Sequence, residues 1–440
     1  MPSGDSSSAL TTSMYPVPEP MLENLVSVAS QDVMAWRENV MPLPTIPRSV
    51  VVDTINSDNL SSLVVSQRRL GSRVVFGPIP YQLATGLARL AQESPGVKRW
   101  SLYLGANLVR GLLDGTPQPN YIGWIDRFQR QVTSSSVVQT LDATELEGRL
   151  SCLEDLAYYT SMLLDSRASY AILKQCLPFF LQLATKLPNL WTAESAISIH
   201  HVLNTEVLSY EIRKFVLWDT VMATAFGTAP LLHYDTTLLD PPPRTERIRI
   251  LERSYGCPKD IVSIIAKVNS ARVSRWLKPT DSQCEEWTGV EARLKEWAPT
   301  LDPDLSTNVV ARFAVQESWR QAAYIYLYMG MCRVDSSDPR VESAVRQIVR
   351  MAKTIEHGSS LEIHLCMPCL IAGIASRLEH HRELMRKKIA ISRDENVWCI
   401  RGADFVPVLD HLWHGAGVGG VGVTWEDYMT ARCIMLPIEG

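Results

Sequence analysis

The chain has 440 residues, of which 46% are hydrophobic and 20% charged, and it carries a net charge of -4. That composition excludes a disordered chain and a membrane-embedded one, and the negative balance argues against a protein whose main task is to neutralise nucleic-acid phosphates. The length exceeds what a single hydrophobic core usually organises, so two sub-domains or one extended helical array are expected.

Residues 1–20 are rich in Ser, Thr and Pro and lack a basic start and an apolar stretch, which predicts a disordered tail rather than a secretory signal. Residues 21–141 are read as a mostly helical N-terminal segment. Within it, Met41 to Gly77 mixes Pro42, Pro44 and Pro47 with the β-branched runs Val50-Val51-Val52 and Val74-Val75-Phe76, so short strands there are allowed but not required. From Tyr81 onward apolar residues recur at helical spacing, as in Leu83, Leu87, Leu90 and in Leu102, Ala106, Val109, Leu113.

Residues 142–440 form the second, wholly helical region. Asp142 and Glu145 make a capping-box-like start for a helix that carries Leu146, Leu150, Leu153 and Ala157 to about Leu164. The next helix opens near Ser166, carries Tyr170, Leu173, Cys176 and Leu177, and is expected to be interrupted or kinked at Pro178. Another spans Ser209 to Phe226. Asp240-Pro241-Pro242-Pro243-Arg244 is the best internal boundary, a break near 240–245. Beyond it, Ile261, Ile264, Ile265, Val268 and Val273 define a helix ending near Trp276, and Glu285 to Trp297 gives another. Val309 to Met331 is apolar on nearly every face in its second half, which predicts the most buried element. Asp338 before Pro339 predicts an N-cap and first helical position, with Val341, Val345, Ile348, Ala352 and Ile355 inward and Arg340, Arg346, Arg350 and Lys353 in solvent. Helices continue over Leu361 to Arg377, Glu379 to Ile389, Asp404 to Trp413 and Trp425 to Ala431. The expected fold is all-α, a multi-helix array of the bundle or irregular solenoid kind. The longest apolar stretches, Ala322 to Cys332 and Leu365 to Ala375, fall short of the roughly 20 residues that cross a bilayer.

Few residues point to chemistry. Gly417, Gly419 and Gly422 have dinucleotide-loop spacing, but no predicted strand precedes them, so a glycine-rich loop is the expectation. His364, Cys366 and Cys369 are soft-metal ligand types set in an apolar run without a second pair, which favours core burial. His411 and His414 beside Asp410 share a helix face and read as surface or hydrogen-bonded histidines, whereas the pairs His200-His201 and His380-His381 point in divergent directions. Acidic pairs such as Glu285-Glu286 do not make a magnesium cluster. The basic run Arg382, Arg386, Lys387, Lys388 and Arg393, mixed with Glu379 and Glu383, reads as a solvated helix end, with an import signal or weak nucleic-acid patch as the alternative. No catalytic, metal-ligating or cofactor-binding residue is assigned, no ligand-binding residue is identified, and no enzyme is expected. Nine cysteines, scattered from Cys152 to Cys433, fit a reducing compartment.

A family pattern emerges from blocks in order: Val216-Leu217-Trp218-Asp219 with Gly227-Thr228-Ala229-Pro230-Leu231-Leu232; Tyr255-Gly256-Cys257-Pro258; Gln316 through Leu327; Met367 through Gly373; Asp410-His411-Leu412-Trp413; and Val423 through Met429. Over roughly Asp142 to Pro437 the chain resembles the fungal-specific transcription factor domain, closest to basidiomycete forms. The resemblance implies a helical regulatory region of zinc-cluster transcription regulators, located in the nucleus and working through protein partners of the transcription machinery or a small-molecule ligand, with a homodimer left open. The large or rigid residues Trp319, Tyr326, Pro368 and Trp413 read as helix-locking groups. No cysteine precedes Cys152. The zinc expected of the family's DNA-binding module therefore has no counterpart here, and neither cofactor nor specific DNA binding is expected of this chain. The competing reading is a helical interaction scaffold outside transcription.

Overall fold

A computed structural model of the chain describes residues 69–70, 73–77, 96–115, 121–134, 141–205, 208–238, 250–277, 286–299, 308–392 and 396–438. All of them belong to one unit, Thr54–Gly440. The predicted tail, the valine run 50–52, the stripe Leu83, Leu87, Leu90, the proline break 240–245 and Glu285 lie outside the described residues.

The helices in chain order are α1 Gly96–Leu113, α2 Tyr121–Ser134, α3 Ala143–Leu163, α4 Ser166–Thr185, α5 Ile199–Asn204, α6 Tyr210–Phe226, α7 Ile250–Tyr255, α8 Lys259–Leu277, α9 Glu286–Glu296, α10 Val309–Tyr326, α11 Pro339–Thr354, α12 Cys366–Ala375, α13 Glu379–Ala390, α14 Val406–His414 and α15 Trp425–Met435. The all-α expectation holds but for a two-residue parallel pair, β1 Ile197–Ser198 with β2 Tyr234–Asp235. At Val74-Val75-Phe76 no strand forms; Phe76 is instead fully buried as a core plug. None of the described helices is long and apolar enough to cross a membrane.

Local signals place the helix starts. The Asp142 side chain accepts from the Glu145 backbone N–H at 2.7 Å, but Glu145 turns its own carboxylate to Arg149 at 2.8 Å, so only half of the expected capping box forms. The reciprocal box occurs at Thr424 and Asp427, opening α15. Asp338 caps α11 ahead of Pro339, and Arg340, Arg346, Arg350 and Lys353 are exposed as the pattern requires. Pro178 does not interrupt α4, which runs on to Thr185. The proline sits on the exposed face, where water can satisfy the carbonyl that loses its N–H partner.

Helices α3 and α4 form a hairpin, α10 packs on α11 and α12, and α14 packs on α15. Val309 to Met331 is not the most buried element. Every residue of α6 from Ile212 to Phe226 and every residue of α12 is buried, whereas α10 leaves Val310 and Phe313 exposed near its start and Gln321 and Tyr324 half-buried. The end of α10 widens into a π-turn, Leu327–Met331, where Gly330 lies so close to α8 that an added Cβ would meet Val268 at 2.9 Å. π-turns of this kind relax the helix repeat and let a segment re-aim its side chains.

Trp319 is fully buried, with its ring 5.4 Å from that of Trp398. Its replacement by alanine should lower the unfolding free energy by about 3–5 kcal/mol in denaturant titrations while far-ultraviolet circular dichroism stays dominated by helix. A cost below about 1 kcal/mol would mean that the Trp319 site is not a packed core position.

Candidate functional site

The polar groups that join this fold are buried between helices, and some of them, Asp219, Tyr326 and Tyr428, lie in the sequence blocks that carry the resemblance. Asp219 is the first. It is fully buried midway along α6 and accepts hydrogen bonds from the backbone N–H of Leu231 at 2.7 Å and of Leu232 at 3.3 Å, and from the Tyr234 hydroxyl at 2.8 Å. One carboxylate thus holds the loop that follows Gly227, whose left-handed backbone (φ 65°) ends α6. Burial pushes the Asp219 carboxyl up to about 7, against the lowering pull of its three donors.

The second knot joins α6, α8, α10 and α15. Asn269 donates to the Thr220 carbonyl at 3.0 Å, while its amide oxygen accepts from Thr224 at 3.2 Å and from the Tyr326 hydroxyl at 2.5 Å. Arg272, one turn further along α8, donates to the Tyr326 oxygen at 2.9 Å, and its guanidinium lies 5.8 Å from the Tyr326 ring centroid and 5.6 Å from that of Trp425. Arg275 donates to the carbonyls of Gly330 at 3.0 Å and Met331 at 2.8 Å, closing the π-turn. From α15, the Tyr428 hydroxyl donates to the Ala225 carbonyl and Arg432 to that of Phe226 at 2.7 Å. The last carbonyls of α6 are therefore satisfied without water.

The third knot holds α3 to α6. The Lys214 ammonium is 3.3 Å from Asp155 and 3.7 Å from the fully buried Glu154, and stands 5.0 Å over the Trp218 ring. Burial raises the Glu154 carboxyl well above its ordinary range despite Lys214 beside it. Burial pulls Lys214 down, but Asp155 and Glu154 outweigh it and hold the ammonium protonated.

The candidates raised by sequence do not converge. His364 is fully buried, with Nδ1 3.0 Å from the Tyr255 carbonyl, and burial lowers it to about 4, so it is neutral. Cys366 and Cys369 are core residues, and burial raises the Cys366 thiol to about 12. No group of three or more His, Cys, Asp or Glu able to hold a metal occurs among the described residues. His414 bonds the Asp410 carbonyl at 2.7 Å while Asp410 pairs with Arg386, and His411 is exposed. His201 contacts Thr205, and the His380 and His381 rings lie 4.3 Å apart on the same turn. Gly417, Gly419 and Gly422 belong to the loop between α14 and α15, so a helix and not a strand precedes them.

The basic run needs correction. It is not a solvated helix end: Arg382 is buried and donates to the carbonyls of Ser376 at 3.0 Å and Gly417 at 2.7 Å, and Lys388 is buried against Glu362 at 2.5 Å and the Ile355 carbonyl at 3.1 Å. Lys387 is exposed, and Arg393 lies outside the described residues. These cations sew α12, α13 and the glycine loop together, so the patch that an import signal or nucleic-acid reading needs is not formed by them.

A cavity of about 370 Å³ opens between Arg73, Ser359, Ser360, Ile363, Ile391 and Asn396. Its volume is at the small end for ligand pockets. Sequence reading did not single out Asn269, Arg272, Glu154 or Lys214, and it carried Asp219 only as one letter of a family block. Their one sequence signal is a polar residue in the apolar phase of a helix, as Asp219 is between Val216 and Phe226.

The fold and its buried seams define an all-helical domain whose polar side chains join helices. A family model for the fungal specific transcription factor domain matches residues 149–436, and the chain belongs to that family. The family is a class of transcription regulators and not an enzyme class. No curated protein and no solved structure matches the chain. Residues of the quoted blocks take part in the seams: Asp219 with Leu231 and Leu232, Trp319 and Tyr326 in α10, Trp425 and Tyr428 in α15. Trp413, another block residue, donates its indole N–H to the Gly373 carbonyl at 2.9 Å.

Because Asp219 holds its proton more tightly folded than unfolded, its stabilising contribution is complete below about pH 4 and lost as pH rises through about 7. Asp219→Asn, neutral throughout, should flatten the fall in unfolding free energy over that window. Asp219→Ala should cost at least about 2 kcal/mol by stranding the Tyr234 hydroxyl and the loop amides. An Asn variant with the same slope as wild type would assign the pH dependence to other groups.

Proposed function

We infer that this chain is the regulatory module of a nuclear transcription regulator, acting through protein partners and performing no chemistry itself. The observation that carries the reading is the family match over residues 149–436, and the buried seams that involve Asp219 and Tyr326 suit it. A module of this kind transmits regulation by presenting or withholding a surface, and rigid buried seams suit it to that task. In this reading it binds no zinc and no other cofactor and does not read DNA by itself; the net charge of -4 and the burial of Arg382 and Lys388 of the basic run support that.

Tethered to a DNA-binding module in a fungal cell, the chain should change reporter output, and Asp219→Ala should abolish the change. Unaltered output from the intact chain would favour the interaction scaffold outside transcription. Elemental analysis of purified protein should find no stoichiometric zinc, and selection against random duplexes at about 0.15 M salt should enrich no sequence. One zinc per chain, or one enriched site, would overturn the corresponding part of the reading.

A further inference from the structure

The cavity of about 370 Å³ is walled by two stretches of chain that are far apart in sequence. Arg73 of the strap 73–77, which lies ahead of the family match, forms one wall; Ser359, Ser360, Ile363, Ile391 and Asn396, all within the match, form the other. The strap is fixed from behind. Gly77 and Phe76 donate their backbone N–H groups to the carbonyls of Arg253 at 2.8 Å and Ser254 at 3.4 Å, and the fully buried Phe76 ring meets the His364 ring edge-on at 5.3 Å. Gly256, in the left-handed region (φ 66°), leaves room for that plug, since a Cβ there would meet the Phe76 ring at 2.8 Å. Arg73, three residues before the plug, is exposed at the cavity wall.

The lining is polar and contains no carboxylate, and Arg73 is its one ionic side chain. Arg73 also has contacts within the chain, but a guanidinium carries five N–H donors and can serve a ligand as well. The Ser360 hydroxyl and the Asn396 amide have no hydrogen-bond partner among the described residues. Ser359 accepts from the Leu361 N–H at 3.3 Å and keeps its own O–H to donate. Glu362, the acid beside Ile363, is committed elsewhere: it accepts from Lys388 at 2.5 Å and from the Gly358 N–H at 2.8 Å. One guanidinium fork suits a carboxylate, the serine and asparagine groups suit a hydroxyl beside it, and Ile363 and Ile391 suit a short carbon skeleton. At the roughly 30 Å³ that a water molecule takes in the liquid, the cavity holds on the order of a dozen non-hydrogen atoms. Phosphate fits less well, because it carries up to two charges and the lining offers one cation.

We propose that this cavity is an effector site for a small hydroxy-carboxylate, and that its occupant clamps the strap 73–77 onto the family domain. A ligand that touches both walls binds only while the strap is seated, so it stabilises the seated state by linkage. This rests on the reading of the chain as a regulatory module, and it names the chemistry of a signal that such a module takes.

The test is saturation-transfer NMR on the full chain with two hydroxy acids of about the right size, mandelate and hydroxyisocaproate. Mandelamide, which lacks the charge, and inorganic phosphate serve as the other probes. At least one of the two acids should bind with a dissociation constant of about 1 mM or tighter. Asn396→Ala should raise that constant about fivefold, Ser360→Phe should fill the cavity and abolish binding, and Arg73→Gln should erase the preference for mandelate over mandelamide. Arg350→Gln, on the exposed face of α11, should leave binding unchanged. The clamp has its own readout. With the acid at ten times its dissociation constant, hydrogen exchange of the Gly77 amide through strap opening should slow by up to about elevenfold. Failure of both acids to bind at about 10 mM, tighter binding of phosphate, or unaltered binding by Ser360→Phe would each overturn the site; binding without any slowing at Gly77 would overturn the clamp. A response in the tethered reporter assay from a chain that binds neither acid overturns the effector site and leaves the regulatory reading standing.

Discussion

Helix α6 is enclosed on all sides from Ile212 to Phe226, so its C-terminal carbonyls have no route to water. An α-helix leaves its last four C=O groups without intrahelical donors, and leaving them buried and bare would cost on the order of 1–3 kcal/mol each. Much of the remaining architecture answers that need. Gly227 turns the chain left-handed and returns its N–H to the last turn, Thr228 donates to the Ala223 carbonyl at 3.0 Å, and α15 supplies Tyr428 and Arg432. Helix α15 must therefore arrive at one position and one angle. The glycine loop and α14 are what deliver it there.

The same requirement explains why several buried charges of this protein act as joints between helices. A buried cation is tolerable when its donors meet carbonyls or a carboxylate in good geometry, and Arg382, Arg432 and Lys388 do so with the helix ends they touch. Each fixes a contact that apolar packing alone would leave free to slide. The seam of Asn269, Thr224, Tyr326 and Arg272 does the same between α6, α8 and α10, with one amide oxygen taking two donors.

Segments separated by 157 to 239 residues meet in direct contacts: Tyr428 with the Ala225 carbonyl, Arg272 with Met429, and Tyr158 with the Val397 carbonyl. Helices α1 and α2 stand outside the matched region but pack on α3, which carries the Glu154 and Asp155 side of the Lys214 knot.

Helix identity and most helix ends were legible in the sequence, because period and caps are local: Asp142, Asp165, Ser209, Asp338 and Thr424 each accept from an N–H two or three residues on. The inward faces of α3 and α11 followed from spacing in the same way. What sequence could not decide is where a polar residue goes when its partner is remote. Lys388 and Arg382 read as solvated charges because their carbonyl and carboxylate partners lie on other segments, and Asp219 read as a block letter because its donors come from a loop beyond the helix end. Pro178 read as a break because its effect depends on whether that face meets water. The hydrophobic period fixes which side of a helix is buried, but only the tertiary assembly brings a donor to a buried acceptor. Long-range hydrogen bonding leaves no periodic trace in the chain, and so the sequence determined the elements while the packed structure decided the seams.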